Sequence, residues 1–206
     1  MSLPPGVYRP RRRRVRAHVR DLTDEDVVHH RGLPLTSGPQ TWLDLATLVP
    51  PPELLAVGDD LMRRGHLHPT ALARRLERAS GARGIVFARR LAPLLTPSAA
   101  SRPESLVRYA LIDSDLPDPE VQVPVLSVRG RPVAHADLGY SRWKVALEYE
   151  GRHHAERGQF DRDLERYSLM AADGWLVLRF GRGVLGRLHA VVERTRRALV
   201  SRGATW

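Results

Sequence analysis

The chain has 206 residues, no cysteine and a formal net charge of +10. This length allows one domain or two small ones, and 42% hydrophobic with 27% charged residues exclude a disordered chain. The lack of cysteine excludes disulfide scaffolds, zinc ribbons and thiol catalysis, and no apolar run reaches the length of a membrane span. The N-terminus has no apolar signal segment, so we predict a cytoplasmic protein without a membrane partner.

The positive charge lies at the two ends of the chain. Residues 1–20 carry seven arginines and no acid, whereas residues 179–206 carry seven arginines and one acid. This distribution favours a polyanionic partner, and we predict contacts to DNA phosphates. A solubilising arm and a solvated helix face are the alternative. The candidate phosphate-binding residues are Arg11, Arg12, Arg13, Arg14, Arg194, Arg196 and Arg197.

The first half of the chain, residues 1–97, is predicted to be mostly helical behind an arginine-rich arm. Alternation over residues 11–20 predicts a short basic strand, and residues 21–39 are rich in turn formers. Apolar spacing and prolines predict four helices, which begin near Thr41, at Pro52, at Pro69 and at residue 84. The small, proline-bracketed segment 96–103 marks the boundary to a second unit, residues 98–206.

The second unit is predicted to be of the α/β class with a small mixed sheet. Ser101 and Glu104 have the spacing of a capping box that opens a helix. Three strand-like runs follow, and the proline in the first of them indicates a position near a sheet edge. A helix over 159–172, a strand over 175–180 and a basic helix over 185–202 complete the order.

Three carboxylates are expected to meet at the ends of two of these strands. Asp137 ends one run and Glu148 ends the next, and Glu150 shares the face of Glu148 because side chains alternate along a strand. Adjacent carboxylates repel each other, and Mg²⁺ or Mn²⁺ would relieve that repulsion. His153 and His154 follow as candidates for proton transfer or metal ligation. An acidic strand end paired with arginines is the alternative.

These residues stand within segments that resemble a known family. ADLGY and ALEYEGRHH, together with SRPESLVRYAL, QFDRDLERYSLM and GWLVLRF, resemble the Vsr-like endonuclease domains of the PD-(D/E)XK nuclease superfamily. The resemblance spans about residues 101–199, half of the chain. It implies a restriction-endonuclease-like domain in which Asp137, Glu148 and Glu150 surround the metal. It also places His153 or His154 beside the metal, with Glu104 reaching in from the first helix.

Three further residues are candidates for supporting the residues that would bind the metal. Gln122 is a candidate only through the family resemblance. Asp163 and Arg166 are three residues apart on a helix, which suits either a local ion pair or a pair that orders the metal loop.

One position departs from the superfamily signature. Glu150 stands where the signature has lysine, and Lys144, the sole lysine, lies four residues before Glu148. Vsr-like proteins often lack that lysine and rely on histidine. Both a nuclease and an inactive nuclease fold therefore stay open.

The first half of the chain resembles a different group of proteins. RPRRRRVRAHVRDL and RGLPLTSGPQTWLDLA resemble actinobacterial proteins related to AbiEi-type antitoxins. This half is accordingly a candidate surface for a protein partner.

The sequence thus predicts a metal-dependent endonuclease that hydrolyses phosphodiester bonds in DNA. The alternative is a catalytically inactive nucleic-acid-binding or antitoxin-like regulatory module. Carboxylates of Asp137 and Glu148 close enough to share an ion favour the enzyme, whereas carboxylates locked to arginines favour the module. A carboxylate-pair glycosidase is a weak third hypothesis, because it accounts for neither the basic ends nor the histidines.

Overall fold

The computed structural model describes residues 2–3, 5–11, 13–15, 17–127, 129–151 and 157–206, and the side chains of all of these except 133 and 157–163. At the N-terminus, strand β1 (Ser2–Leu3) pairs in parallel with β2 (His18–Val19). Arg20 anchors the arm, since its Nε donates to Asp44 Oδ1 at 2.9 Å. Among the described residues of the segment 11–20, which was predicted to be a strand, strand structure is confined to β2, where a pairing partner is available.

A β-hairpin occupies part of the segment predicted to be turns. Strands β3 (Val27–His30) and β4 (Leu33–Thr36) pair antiparallel. Arg31 and Gly32 between them both have positive φ, 51° and 77°, as a two-residue type I′ turn requires. The prediction for this segment was wrong because Pro34, which lies in β4, argues against a strand by local preference alone.

Four helices follow in the first half, close to their predicted positions. They are α1 (Gly38–Leu45), α2 (Pro51–Arg63), α3 (Pro69–Arg78) and α4 (Ile85–Leu91), the last continued by a 3₁₀ turn over Ala92–Leu94. Proline lies in the first turn of α1, α2 and α3, where its fixed φ suits helix initiation. Their apolar faces form one core around Trp42, whose indole N–H donates to Leu54 O at 2.9 Å.

The second half has the predicted order of helices and strands. It comprises α5 (Arg102–Ile112), β5 (Glu120–Leu126), β6 (Pro132–Tyr140), β7 (Val145–Glu150), α6 (Arg157–Ala172), β8 (Leu176–Gly181) and α7 (Leu188–Ser201). The sheet order is β5-β6-β7-β8, with β5 at the edge as the proline in that strand indicated. The first two pairings are antiparallel, whereas β7 and β8 are parallel and joined through α6.

The sheet separates two apolar layers. On one face Leu111 and Leu199, from α5 and α7, pack with Leu138 and Leu147 of the sheet. On the other face Met170 of α6 packs with a second set of sheet residues, Val123, Val125, Ala136 and Ala146. The protein is therefore a mixed α/β structure in which helices cover both faces of a small sheet.

Helix α5 also packs against α2, which joins the two halves of the chain. At this junction Arg108 donates through Nη2 to both carboxylate oxygens of Asp59, at 2.9 and 3.0 Å. Ser105 Oγ and Thr96 N donate to the same carboxylate at 2.7 and 2.9 Å. Asp59 and Arg108 are 1% and 4% exposed, so a charged pair is buried between the halves.

Within the described part of the chain, no helix is both long and apolar enough to cross a membrane.

Candidate functional site

The candidate site begins where β6 and β7 separate. Their ladder pairs Tyr140 with Val145, then Gly139 with Ala146, then Leu138 with Leu147. The next pair in this register would be Asp137 and Glu148. Instead, Asp137 Oδ2 accepts the backbone N–H of Tyr149 at 2.8 Å. A side-chain carboxylate thus occupies the acceptor position of the sheet, and Asp137 lies beside Glu148.

The same position interrupts the pairing of β5 with β6. Val121 pairs with Leu138 and Val123 with Ala136, whereas the residues between them, Gln122 and Asp137, form no ladder pair. Gln122 has a φ of 52°, in the left-handed region. Such backbone strain persists only where the surroundings impose it, and it clusters at functional sites.

This interruption also reverses the faces of both strands. Side chains two residues apart normally share a face. Here Val121 and Leu138 pack in the α5–α7 layer, whereas Val123 and Ala136 pack in the α6 layer. The reversal is centred on Gln122 and Asp137. The kink therefore takes the Asp137 carboxylate out of the regular alternation of the sheet.

Glu148 is held by two side chains of α6. Arg166 donates to its two oxygens at 2.8 and 3.0 Å, and the Tyr167 hydroxyl donates to Glu148 Oε2. Glu148 is 5% exposed. A buried carboxylate needs such partners, because burial without them is strongly unfavourable.

Glu150 belongs to the same cluster. It pairs with Arg179 of β8, and Tyr167 lies with its hydroxyl 3.1 Å from Glu150 Oε1. Arg179 Cζ is 4.1 Å from the centre of the Tyr167 ring, and Arg166 Cζ is 4.7 Å from it. We call these five residues the tyrosine cluster: Glu148, Glu150, Arg166, Tyr167 and Arg179.

The two neighbouring carboxyls differ from ordinary acids. Burial raises the pKa of Asp137, and the charge of Glu104 raises that pKa further, against the Tyr149 N–H bond and the Arg166 charge. Burial likewise raises the pKa of Glu148, aided by the charge of Asp137 and opposed by Tyr167 and Arg166. The charged forms of both carboxyls are thus disfavoured mainly by burial, which the contacts with Tyr149, Tyr167 and Arg166 offset only in part.

Glu104 lies near this pair, but both of its carboxylate oxygens accept hydrogen bonds at the start of α5. Its Oε2 accepts the Ala100 N–H at 2.8 Å, and its Oε1 accepts the Ser101 hydroxyl at 2.7 Å. Ser101 Oγ in turn accepts the Glu104 N–H at 3.4 Å, at the start of α5. Glu104 therefore contributes charge to the site, while both of its oxygens cap the helix.

Several predicted site residues are placed elsewhere or not described. His153, His154 and Arg12 lie outside the described residues, as does the side chain of Asp163. Lys144 directly precedes β7, and its Nζ donates to Asp173 O at 3.1 Å. Among the residues that the structure describes, no three histidines, aspartates or glutamates form a metal-binding group.

The arginines predicted to bind phosphate differ in their contacts. Arg196 donates to Asp115 Oδ2 at 2.8 Å and lies 3.9 Å from Glu193. Arg197 is 3.6 Å from Glu193. Arg194, Arg11, Arg13 and Arg14 are exposed. Arg197 is exposed as well, but Glu193 lies beside it. Arg11, Arg13, Arg14 and Arg194 are accordingly better placed to contact a polyanion than Arg196 and Arg197.

Sequence reasoning missed Tyr167 altogether and gave Arg179 no role beyond the resemblance. Arg179 lies opposite Glu148 in the parallel register of β7 and β8. Tyr167 reaches both glutamates from α6. Neither relation has a local signal in the sequence, because each depends on how a helix and two strands pack.

The chain is similar to two proteins of Mycobacterium tuberculosis. These are the uncharacterized protein MT2308 of strain CDC 1551 / Oshkosh and the uncharacterized protein Rv2248 of strain ATCC 25618 / H37Rv. Each is 30% identical over 139 residues, which cover 67% of this chain and 51% of the relative. The chain thus spans about half the length of the curated relatives it matches. No family model and no solved structure matches the chain.

Proposed function

We propose that the protein is a metal-dependent DNA endonuclease that hydrolyses phosphodiester bonds on a Vsr-like nuclease fold. The single observation that carries this proposal is the kink that places Asp137 beside Glu148. Both carboxyls have a raised pKa at a strained break in the sheet. Carboxyls perturbed by burial and by each other are typical of functional sites.

The described residues fit a divalent cation with two carboxylates. Mg²⁺ keeps several of its waters and is commonly held by one or two carboxylates together with substrate phosphates. Asp137 and Glu148 form such a pair, since their mutual repulsion would be relieved by a cation. Glu104 has both oxygens in the α5 cap, and Glu150 is paired with Arg179 as Glu148 is with Arg166. We assign the metal to Asp137 and Glu148 because the charge of Asp137 raises the pKa of Glu148, and the assignment requires a cation to displace a contact that Glu148 makes with Arg166 or Tyr167.

The roles of the other residues follow from their charge and position. A bound divalent cation supplies activation of water and neutralisation of phosphate charge. Asp137 and Glu148 would hold it, with Mg²⁺ or Mn²⁺ as the fitting ions. The backbone N–H of Tyr149 keeps Asp137 oriented. His153 or His154 would transfer a proton, and Arg11, Arg13, Arg14 and Arg194 would contact the DNA backbone.

A nicking assay tests this proposal. Supercoiled plasmid is incubated with the protein and Mg²⁺ or Mn²⁺, beside EDTA, Asp137→Asn, and the exposed-site control Asp21→Asn. We expect nicking that EDTA and Asp137→Asn abolish and Asp21→Asn retains. Wild-type protein that leaves plasmid intact with both metals contradicts the proposal, and so does an Asp137→Asn variant as active as the wild type.

A second function is favoured by a different observation. Glu148 and Glu150 are already paired with Arg166 and Arg179, which is the arrangement expected of an inactive module. A nucleic-acid-binding or antitoxin-like regulatory protein would use the fold for its shape and the exposed arginines for contact. Such a protein binds DNA without cutting it, with affinity that falls steeply as salt rises.

DNA binding measured in EDTA separates the two functions. Salt-sensitive binding that Asp137→Asn leaves unchanged, together with no nicking under either metal, supports the regulatory module. Binding combined with metal-dependent nicking supports the nuclease. An Arg13→Ala/Arg14→Ala variant should bind DNA more weakly and with a smaller salt dependence in both cases. The reason is that each arginine–phosphate contact that is lost lowers the number of counterions released from the DNA on binding.

A further inference from the structure

The arginine-rich arm at the N-terminus is a loop that is closed at both ends. Beside the pairing of β1 with β2, the backbone N–H of Arg20 donates to Leu3 O at 2.9 Å. The side chain of Arg20 donates to Asp44 of α1, which attaches the closed end of the loop to the helical half. We call the described residues between β1 and β2 the arginine loop, namely residues 5–11, 13–15 and 17.

The positive charge of the arginine loop is not neutralised within the described part of the chain. Residues 1–20 contain no acid. The loop has four exposed arginines, which are Arg9, Arg11, Arg13 and Arg14. None of the four forms an ion pair with another described residue, whereas Arg196 and Arg197 of α7 lie beside Glu193. Such an uncompensated cluster favours a polyanionic partner.

Tyr8 adds an exposed aromatic ring to this cluster of charge. It is 81% exposed, and its ring contacts no other ring and no guanidinium among the described residues. Trp143 and Tyr167, by contrast, each have a guanidinium against the ring. Pro10 follows two residues later, and its fixed φ lowers the entropy that the segment loses when it is ordered by a partner. The Tyr8 ring is therefore available for stacking.

An exposed tyrosine among arginines fits a nucleic acid strand with unpaired bases. Arginines contact the phosphates of paired and unpaired strands alike. The bases of an intact duplex stack on each other, so their faces are open to a side chain only where pairing is broken. Unpaired bases stack on aromatic side chains, and this contact is tolerant of sequence. The ring of Tyr8 thus adds a preference that the arginines alone do not provide.

An anionic membrane surface is the other partner that arginine with tyrosine could suit. Binding at a membrane interface requires a continuous apolar face. Besides Tyr8, the exposed large apolar residues of the loop are Val7 and Val15, which are 47% and 40% exposed. Two half-exposed valines beside four arginines form no such face, so the observations favour the nucleic acid.

We propose that the arginine loop binds single-stranded segments of a nucleic acid, with Tyr8 stacked on an unpaired base and the arginines on neighbouring phosphates. This inference deepens the proposed function, on which it rests for DNA as the partner, because it makes DNA with unpaired bases the substrate of the endonuclease. Negative supercoiling favours strand separation, so a supercoiled plasmid offers such segments. Single-stranded RNA presents the same phosphates and base faces, and the experiment includes it.

Substitutions at Tyr8 separate stacking from charge. Tyr8→Phe keeps the aromatic ring, and Tyr8→Leu replaces the ring with an aliphatic side chain. The two variants are matched controls for each other, since both remove the hydroxyl. Arg13→Ala/Arg14→Ala removes charge and keeps the ring. Because all three positions are exposed, each variant should keep the melting temperature of the wild type.

Fluorescence anisotropy of the full chain with labelled oligothymidine, oligouridine and a DNA duplex of equal length measures binding in EDTA. We expect the wild type to bind oligothymidine more tightly than the duplex. Tyr8→Leu should bind oligothymidine about tenfold more weakly, and Tyr8→Phe should stay within about twofold of the wild type. Duplex affinity should be the same in both variants, whereas Arg13→Ala/Arg14→Ala should bind all three ligands more weakly.

Failure of this inference is distinguishable from failure of the endonuclease proposal, because binding in EDTA does not depend on cleavage. Wild-type protein that prefers the duplex, or Tyr8→Leu that binds oligothymidine as Tyr8→Phe does, overturns the role of the loop and leaves the nicking result standing. Selective loss of oligothymidine binding in Tyr8→Leu without any nicking supports the loop and contradicts the endonuclease. Binding of oligouridine but not oligothymidine overturns DNA as the partner. Tighter binding to phosphatidylcholine vesicles that contain phosphatidylserine than to oligothymidine overturns the inference in favour of a membrane surface.

Discussion

Asp137 carries a charge that is unfavourable in the folded protein. The pKa of its carboxyl is raised, mainly by burial, so the native state binds that proton more tightly than the unfolded chain does. Stability therefore falls as pH rises above the unfolded-state pKa of about 3.9. Charged groups that destabilise the folded protein are common where activity and stability conflict.

We expect Asp137→Asn to raise the free energy of unfolding at pH 7 by on the order of 1 kcal/mol. The amide oxygen of asparagine can still accept the Tyr149 N–H, while the buried charge is removed. Urea denaturation at pH 3 and pH 7 measures this, with Asp21→Asn as control. The variant should gain more at pH 7 than at pH 3, because below the unfolded-state pKa of about 3.9 the carboxyl is protonated in both states. A loss of stability at both pH values would contradict the argument.

Gln122 is a second residue whose backbone departs from its surroundings. A side chain in the left-handed region is strained by about 1 kcal/mol, and glycine avoids that strain. We expect Gln122→Gly to leave stability unchanged or to raise it by up to about 1 kcal/mol. Leu126→Gly, at another partly exposed position in β5, should destabilise the protein by about 1 kcal/mol.

Thermal unfolding of both variants measures the difference. Equal destabilisation by Gln122→Gly and Leu126→Gly would show that the positive φ of Gln122 carries no strain. Nicking by Gln122→Gly then shows whether the side chain itself serves the site.

At the scale of single elements, α5 connects its cap to the candidate site. Ser101 caps the helix and also donates to Glu104, whose charge acts on Asp137. We expect Ser101→Ala to destabilise the protein by about 1 kcal/mol, the usual value of a lost N-cap. Chemical denaturation of this variant beside Ser201→Ala, at the far end of α7, measures the effect. A Ser101→Ala variant as stable as wild type would contradict the cap's contribution.

The local elements of this protein follow from short-range signals. Pro69 and the cap at Ser101 begin their helices where they were predicted, and α2 begins at Pro51, one residue before the predicted Pro52. Gly65 and Gly174, both with positive φ, follow the ends of α2 and α6. The hairpin at 27–36 escaped prediction because its turn is Arg-Gly and its second strand contains proline. Such a pairing is favoured by two strands together, and neither strand indicates it alone.

At the scale of the whole molecule, the buried pair of Asp59 and Arg108 connects the two halves of the chain. Removing one partner of a buried pair costs about 3–5 kcal/mol, because the other charge is left without compensation. We expect Asp59→Asn to lose about that much stability. Asp60→Asn should lose less than about 1 kcal/mol, since Asp60 forms exposed pairs with Arg63 and Arg64.

Urea denaturation measures these losses of stability and also shows whether the two halves of the chain unfold together. Trp42 is in the helical core and Trp175 packs beside the sheet, so single-tryptophan variants report on each half. We expect one transition at the same urea concentration for both in the wild-type background. Two separated transitions would support independent domains over 1–97 and 98–206. Asp59→Asn should then separate them further.

The sequence indicated the acidic residues of the candidate site, but the contacts that these residues make depend on long-range packing. Alternation along β7 places Glu148 and Glu150 on one side, and both reach the Tyr167 hydroxyl. Local periodicity suffices for that, because it involves neighbours in one strand. The ion-pair partners of these carboxylates are Arg166 and Arg179. They belong to a helix and a strand that contact β7 only in the folded protein.

Composition, charge and periodicity established a mixed α/β chain with basic ends and an ordered set of acids. They could not establish whether those acids stand free or paired, since that depends on the register of β7 with β8 and on the position of α6. Nor could they reveal the face reversal at Gln122 and Asp137. Local preferences extend over a few residues, whereas these features arise from contacts between segments far apart in the chain.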